Sequence, residues 1–199
     1  MSLPLPMRFV LSAPDVADLP ASPAEVAVVG RSNVGKSSLL NALARRKDLA
    51  KVSGKPGKTR LLNLFETEGG TLVDLPGYGY AKVSQSDRQA WERRMHRYLR
   101  ERQPLALTLL LVDGEVGPTA LDKEMLDWLR QHDVTFRVVA TKHDKVKSSK
   151  RDRRKRDLAA GCQVLPGEVL WVSAEKGVGI DRLRALVRDT LAPPPRAAE

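Results

Sequence analysis

The chain has a single cysteine, Cys162, and three histidines among its 199 residues. One cysteine excludes an intramolecular disulfide framework and a cysteine-based zinc site. Three scattered histidines also argue against a histidine cluster that holds a metal ion. These absences are typical of a reducing compartment, and we therefore expect a cytoplasmic protein.

Long apolar segments are lacking as well. The chain has no apolar run of about 18 residues, so we expect no stable membrane insertion. The first 20 residues contain four prolines and lack the basic start and apolar stretch of a signal peptide. Hydrophobic residues make up 42% of the chain, which suffices for one core at this length. We expect a monomer with an N-terminal extension (1–22) packed on one domain (23–191) and a disordered tail (192–199).

Positive charge is in excess. Lys and Arg number 34 against 24 Asp and Glu, which gives a formal net charge of +10. The excess is concentrated in three basic blocks: residues 45–60 (net +6), 88–102 (net +4) and 142–157 (net +6). Segregated positive charge favours contact with phosphate groups, on nucleic acid or on a membrane surface. Each block taken alone is also compatible with a solvated helix face or loop.

Short apolar runs alternate with amphipathic stretches along most of the chain. The pattern predicts strands at residues 25–29, 61–65, 71–73, 105–112, 135–140 and 168–172, and helices at 36–44, 87–102, 120–131, 148–160 and 179–191. Several strands are rich in Val and Leu without polar alternation, which indicates a sheet buried on both faces. The sequence therefore predicts a three-layer α/β domain with a mostly parallel six-stranded sheet flanked by helices.

A phosphate-binding loop follows the first predicted strand of the domain. The eight-residue pattern is matched by Gly30, Arg31, Ser32, Asn33, Val34, Gly35, Lys36 and Ser37. Glycines let the backbone wrap closely around phosphate oxygens, and the following helix presents unpaired N–H groups. Lys36 is predicted to neutralise the β- and γ-phosphates, and Ser37 to give its hydroxyl oxygen to Mg²⁺.

A second phosphate-facing segment follows the strand at 71–73. It consists of Asp74, Leu75, Pro76 and Gly77. A carboxylate at a strand end can hold the water shell of Mg²⁺, and the Gly77 N–H can sense the γ-phosphate. The phosphate loop and this segment together predict a nucleotide triphosphate site.

Two further segments predict that the base is guanine. The first consists of Thr141, Lys142, His143 and Asp144, and the second of Val172, Ser173 and Ala174. The Asp144 carboxylate can accept two hydrogen bonds from guanine, a pair that adenine does not offer. The aliphatic stem of Lys142 can cover the base, and a backbone N–H near Ser173 can meet guanine O6. All four segments end predicted strands, the edge at which open α/β sheets bind ligands.

With these motifs the chain resembles the EngB family, also called YsxC or YihA, of bacterial ribosome-assembly P-loop GTPases in the TrmE-Era-EngA-EngB-septin-like superfamily. The resemblance covers about residues 9–191 and includes the runs 56–60, 74–81 and 141–145. It implies GTP binding with Mg²⁺ and slow hydrolysis to GDP. It also implies a switch that acts on the large ribosomal subunit and its rRNA, and a link to normal cell division and septation.

The resemblance adds site residues that the bare pattern leaves out. Residues in the run 56–60 and beside it are implied to contact the nucleotide: Gly57, Lys58, Thr59, Arg60 and Leu61. Thr59 matches the switch threonine that ligates Mg²⁺ directly, as Ser37 does, whereas Asp74 acts through water. Lys36, Thr59 and Gly77 are the implied catalytic residues.

Three positions depart from the general GTPase pattern: Tyr78, Thr141 and His143, which is an unusual occupant of the variable position in the base-recognition motif. Tyr78 stands where many switch GTPases carry a water-orienting glutamine, which predicts slow intrinsic turnover unless a partner or a monovalent cation helps. Asn33 occupies a position at which related GTPases resemble potassium binders, so K⁺ is a candidate cofactor. The alternative is that Asn33 only hydrogen-bonds the loop. Thr141 replaces the usual asparagine of the base-recognition motif.

Two other functions are compatible with parts of the pattern. One is a division-signalling GTPase that binds proteins and makes no RNA contact. The other is a P-loop kinase acting on a small molecule, against which the predicted guanine-binding segments argue.

Overall fold

The computed structural model describes residues 2–50, 61–79 and 85–193, with the side chains of the helix that begins at Gln85 described from Gln89 onward. The predicted tail at 192–199 lies outside these residues except for its first two positions. In the described part, seven strands form one sheet: β1 (Arg8–Ala13), β2 (Glu25–Gly30), β3 (Leu62–Thr67), β4 (Gly70–Asp74), β5 (Leu105–Asp113), β6 (Phe136–Thr141) and β7 (Leu170–Trp171). Their order is β1-β3-β4-β2-β5-β6-β7, with β3 antiparallel to both of its neighbours and the other pairs parallel.

Helices cover both faces of the sheet. They are α1 (Lys36–Ala44), α2 (Gln85–Glu101), α3 (Ala120–Gln131), α4 (Arg151–Gly161) and α5 (Ile180–Leu191). Apolar side chains of α1 and α5 form a core with one face, and those of α2, α3 and α4 form a core with the other. The predicted three-layer α/β architecture is confirmed. The helix predicted over 148–160 begins later, at Arg151, after a separate 3-10 turn at Ser148–Lys150.

The six-stranded prediction was one strand short. The missing strand is β1, which pairs antiparallel with β3, with Arg8 opposite Glu66 and Ala13 opposite Leu62. Ala13 alone is fully buried in β1, and four of the six residues are exposed. An edge strand that is mostly exposed lacks the alternation by which strands are found in a sequence.

Residues before β1 lie against the helices of the α1/α5 face. Leu5 and Met7 are buried there, and the Leu5 N–H donates to the Leu43 carbonyl at 3.0 Å. The guanidinium of Arg184, on α5, donates to the carbonyls of Leu43 and Ala42 at 2.9 and 2.6 Å. Because the last carbonyls of a helix have no partners within the helix, these contacts stabilise the C-terminal end of α1.

The central strand β2 lies in the core and ends where the predicted phosphate loop begins. All six of its residues are buried, as expected for a parallel strand covered on both faces. Among the helices in the described part of the chain, none combines the length and the apolar composition of a membrane span.

Candidate nucleotide site

The predicted phosphate loop connects β2 to α1 at the C-terminal edge of the sheet. Gly35 caps α1 with a φ of +107°, a conformation that a side chain would strain. Val34 is buried and anchors the loop, whereas Asn33 is exposed with a φ of +64°. Lys36 and Ser37 form the first turn of α1, where helix N–H groups and the helix dipole favour an anion.

Asp74 ends β4 beside the phosphate loop. Its carboxylate is buried, and Oδ1 lies 3.9 Å from Lys36 Nζ. Burial raises the pKa of Asp74, although the Lys36 charge and a hydrogen bond with Asn63 oppose the rise. Oδ1 has no hydrogen-bond partner among the described residues. A buried, unpartnered carboxylate oxygen next to a phosphate loop fits a hydrated divalent cation, because oxygen ligands suit Mg²⁺.

The segment after Asp74 runs against the phosphate loop. The Leu75 N–H donates to the Val28 carbonyl at 3.0 Å, and the Ser32 N–H donates to the Tyr78 carbonyl at 2.9 Å. Leu75 and Pro76 are buried. A β-carbon added to Gly77 would lie 2.9 Å from the Ser32 nitrogen, so this approach requires a glycine.

The Tyr78 side chain points into the core and is 6% exposed. Its hydroxyl donates to Asp122 Oδ1 at 2.8 Å, and burial together with the Asp122 charge raises the pKa of the phenol. Asp122 Oδ2 accepts from Arg31 Nε at 3.0 Å and from the backbone N–H and hydroxyl of Thr119, both at 2.8 Å. This Asp122 network joins the phosphate loop, the residue after Gly77 and the start of α3.

The predicted base segment follows β6 and contacts the phosphate loop directly. The Thr141 hydroxyl donates to the Val34 carbonyl at 2.7 Å. Lys142 has a left-handed backbone (φ +54°), and its Nζ lies 2.7 Å from Asp113 Oδ2. Burial tends to raise the pKa of Asp113, but hydrogen bonds from Lys142 and from the backbone N–H groups of Val116 and Glu115 keep it below its usual value.

Asp144 is held by the segment that follows β7. The Ser173 hydroxyl donates to Asp144 Oδ1 at 2.5 Å, and this bond lowers the pKa of the carboxyl. Lys145 Nζ lies 3.9 Å from Oδ2. The backbone of the two segments is also joined, because the His143 N–H donates to the Val172 carbonyl at 3.1 Å. Asp144 is therefore an ionised acceptor of fixed orientation.

A cavity of about 190 Å³ connects the base segment to the first turns of α1. Its walls include Gly35, Lys142, Asp144 and Ala174. The structure thus brings together the loop 30–37, the segment 74–77 and the segments 141–144 and 172–174. The remaining predicted nucleotide contacts, Gly57, Lys58, Thr59 and Arg60, lie outside the described residues, and Leu61 is the first residue after them.

Two carboxylates of this region were not among the predicted site residues. Asp113 ends β5 and holds Lys142, and Asp122 holds Arg31 and Tyr78. Asp113 could have been identified from the sequence, since it directly follows the predicted strand at 105–112, at the edge where open α/β sheets bind ligands. Asp122 is the third residue of α3, and its spacing from Thr119 marks a helix capping box, which does not indicate a contact with Arg31 or Tyr78.

Replacing Thr141 by valine tests the contact between the base segment and the phosphate loop. We expect the free energy of unfolding to fall by about 1–2 kcal/mol, because the buried Val34 carbonyl loses its donor while the side-chain volume is kept. Nucleotide affinity should fall as well, since Val34 lies in the loop. Urea unfolding and nucleotide titration measure the two effects. Thr141→Ser retains the hydroxyl and is the control, and equal stability of the two variants would contradict the assignment.

Comparison with known proteins identifies relatives over nearly the whole chain. Residues 25–142 match the protein family described as "50S ribosome-binding GTPase". The chain is 46% identical over 183 residues to the "Probable GTP-binding protein EngB" of Pelotomaculum thermopropionicum, across 90% of this chain and 92% of the relative. It is 41% identical over 188 residues to the protein of the same name from Desulfotalea psychrophila, across 94% and 97%.

Solved structures share the fold. A crystal structure of a "probable GTP-binding protein engB" superposes with a TM-score of 0.70 at 24% identity, over 84% of this chain and 98% of that one. A structure of Era in complex with MgGDPNP and nucleotides 1506–1542 of 16S ribosomal RNA gives a TM-score of 0.69 at 24% identity, over 90% of this chain and 60% of that one.

Proposed function

Because the chain belongs to the EngB family of GTP-binding proteins, with the fold of a P-loop GTPase, we propose that it binds GTP with Mg²⁺, hydrolyses it slowly and uses it as a switch in large-subunit assembly. The observation that carries the proposal is the meeting of two groups at one sheet edge. One is the phosphate loop with the buried Asp74, and the other is the carboxylate of Asp144 held by Ser173.

The phosphate end of the site supplies the charge that a triphosphate needs. Lys36 neutralises the β- and γ-phosphates, and the Gly77 N–H donates to the γ-phosphate. Ser37 and Asp74 hold Mg²⁺, together with Thr59 from outside the described residues. Mg²⁺, when bound, neutralises negative charge on the β- and γ-phosphate oxygens.

The base end of the site selects guanine. Asp144 accepts from the N1–H and N2–H₂ groups, and its low pKa keeps it ionised at neutral pH. The ion pair with Asp113 fixes the Lys142 stem beside the base cavity. Ala174 lines the same cavity and offers its N–H to guanine O6.

Slow hydrolysis follows from the position of Tyr78. Its hydroxyl donates to Asp122 and points into the core, so it does not orient the attacking water. Intrinsic rates of switch GTPases that lack help are on the order of 10⁻⁴ to 10⁻² s⁻¹. We expect this chain to lie in that range until a partner or a cation accelerates it.

Potassium is one such accelerator. Asn33 is exposed in the phosphate loop, where its amide oxygen is available to a monovalent cation next to the phosphates. Hydrolysis is then expected to be faster in KCl than in NaCl at equal ionic strength, measured as phosphate release. Asn33→Ala should remove the difference, whereas equal wild-type rates in both salts would contradict the assignment.

The basic block at 142–157 supports ribosomal RNA as the partner. Lys147, Lys150 and Arg156 are exposed there, and α4 buries only Leu158 and Ala159. The block at 88–102 is used differently, because three of its arginines contact the chain itself. Arg94 and Arg97 bond the segment Pro14–Asp15, and Arg102 bonds the buried Glu25. The family described as ribosome-binding and the rRNA-bound Era structure agree with this choice.

GTP-loaded protein is expected to bind large ribosomal subunits more tightly than GDP-loaded protein, because Gly77 contacts the phosphate loop and the γ-phosphate orders the segments around it. Co-sedimentation with purified subunits in GDP and in a non-hydrolysable GTP analogue measures this. Arg156→Glu should weaken binding and lower the slope of log affinity against log salt by about one.

The control is Arg182→Glu, an equal charge change at an exposed position of α5 on the other sheet face. Equal affinity for large ribosomal subunits in both nucleotide states would contradict the proposed switch. Binding with no salt dependence would instead favour the second candidate, a division-signalling GTPase without RNA contact. In the proposed role the protein works in the cytoplasm as a monomer and is needed for normal cell division and septation.

A further inference from the structure

A groove of about 210 Å³ runs between α2 and α3, on the face that also carries Tyr78. Trp91 and Met95 of α2 form one wall, and Leu121, Met125 and Trp128 of α3 form the other. The two methionines are buried, the two tryptophans are half-buried, and Leu121 is 41% exposed. Among the residues that the structure describes, none covers the apolar surface between the two helices.

Ring stacking fixes one end of the groove. His96 of α2 stacks on Trp128 of α3, with ring centroids 4.1 Å apart, and His132 stacks on Trp128 at 4.2 Å. Because His96 comes from the opposite helix, the stack holds the two walls at a set separation. Burial, His132 and Arg100 lower the pKa of His96, so its imidazole is neutral at pH 7. A neutral imidazole adds no positive charge to the groove.

That negative charge comes from Glu92 and Glu124, one on each helix. They are the acidic residues among those that line the groove, and Arg93 and Lys123 beside them in sequence do not line it. Carboxylates repel the phosphates of a nucleic acid but pair with lysine or arginine. In a chain of net charge +10, this apolar and acidic groove differs from the basic blocks.

We propose that this groove docks a segment of a partner protein that combines apolar side chains with lysine or arginine. The apolar side chains lie against the exposed Leu121 and the half-buried Trp91 and Trp128, and the buried Met95 and Met125 line the groove beside them. The cationic side chain extends its apolar stem along the tryptophans and places its charge at Glu92 and Glu124. The charge complementarity between the two carboxylates and a cationic segment is what selects this occupant.

Occupancy of the groove is also sensitive to the bound nucleotide. This sensitivity rests on the proposed function. Tyr78 lines the groove and directly follows Gly77. Its carbonyl accepts from the Ser32 N–H of the phosphate loop, and its hydroxyl bonds Asp122 at the start of α3. A shift of Gly77 with the γ-phosphate therefore moves a residue that lines the groove.

The test uses a displayed library of random peptides of about twelve residues, panned on the full-length protein. Panning is done in GDP and in a non-hydrolysable GTP analogue. Enriched sequences are expected to combine Leu, Ile, Phe or Trp with Lys or Arg. Synthetic versions are then titrated against the protein, and intrinsic fluorescence reports binding, because two of the three tryptophans line the groove.

Glu124→Arg is expected to weaken the enriched peptides about tenfold or more, because like charges oppose each other in the groove. Leu121→Asn, at a partly exposed position, is the second variant and should weaken them through lost apolar contact. Glu115→Arg makes the same charge change at an exposed residue outside the groove and should alter affinity less than about twofold.

Several results would overturn the proposal. They are the absence of enrichment, enrichment of acidic peptides, and peptides that bind the Glu124→Arg variant as tightly as the wild type. A single-stranded oligoribonucleotide that displaces the peptides, and binds the variant more tightly, would assign the groove to RNA. Equal peptide affinity in both nucleotide states would overturn its nucleotide sensitivity. GTP titration of the same samples separates these failures from a failure of the proposed function.

Discussion

Replacement of Asp144 by asparagine is expected to lower the affinity for GTP by about two orders of magnitude or more and to favour xanthosine triphosphate. In the proposed site the carboxylate accepts two hydrogen bonds from guanine, whereas an amide would present a donor to the guanine donors. The Ser173 hydroxyl donates to Asp144 Oδ1 at 2.5 Å, and we expect it to donate to the amide oxygen of asparagine as well. The amide nitrogen then takes the place of Oδ2. That nitrogen can donate to the 2-oxygen of xanthine.

Titrations with GTP, XTP and ATP measure the exchange of specificity. Glu175→Gln is the matched control, because Glu175 lines the same cavity, is exposed and receives the same carboxylate-to-amide change. The control should keep its GTP affinity. Because the hydrogen bond from Ser173 lowers the pKa of Asp144, the guanine preference of the wild type should not change between about pH 5 and pH 8. Unchanged GTP affinity in Asp144→Asn would place the base elsewhere.

The parts of the fold that were predictable are those in which local pattern and tertiary position agree. The helices α1 and α3 begin and end at the predicted residues, 36–44 and 120–131. A glycine with a left-handed backbone precedes the first, and Thr119 precedes the second, so each start is marked in the sequence. The strand β2 is buried along its whole length, and its unbroken apolar run predicts this.

The site was predictable as a set of backbone positions but not as a set of side-chain contacts. The motifs place Asp74 at the end of a strand and Lys36 and Asp144 in the segments that follow strands, and parallel strands bring such segments to one edge. By contrast, the Asp122 network depends on residues 44 and 91 positions away, Tyr78 and Arg31. Pairings of this kind arise from helix packing, which has no periodic mark in the sequence.

The amount of positive charge in each basic block was predictable from the sequence, but which of these charges contact the chain itself was not. The blocks at 88–102 and 142–157 look alike in sequence, yet Arg102 of the first bonds the buried Glu25 at 3.1 Å. Tyr98 donates to the same carboxylate, so this end of α2 is fixed to the start of β2. In the second block, Lys150 and Arg156 are exposed. Only the fold distinguishes arginines that stabilise the chain from those that are available to a partner.

The close contact between Gly77 and the phosphate loop predicts a large effect of substituting this glycine. An added β-carbon would lie 2.9 Å from the Ser32 nitrogen, 3.0 Å from its α-carbon and 3.1 Å from Lys36 Nζ. The first two atoms belong to backbone and cannot move away as a side chain can. Gly77→Ala must therefore separate the segment from the phosphate loop, and it weakens the bond from the Ser32 N–H to the Tyr78 carbonyl.

Gly77→Ala is expected to slow GTP hydrolysis about a hundredfold, because a displacement of about 1 Å at a reacting group costs that much. GDP lacks the γ-phosphate that the Gly77 N–H would meet, so GDP affinity should change much less than GTP affinity. Single-turnover hydrolysis and titration with both nucleotides measure the two effects. Gly167→Ala is the matched control, since a β-carbon there meets nothing within 4 Å. Equal loss of GTP and GDP affinity in Gly77→Ala would mean that this glycine shapes the phosphate loop as a whole and does not sense the γ-phosphate.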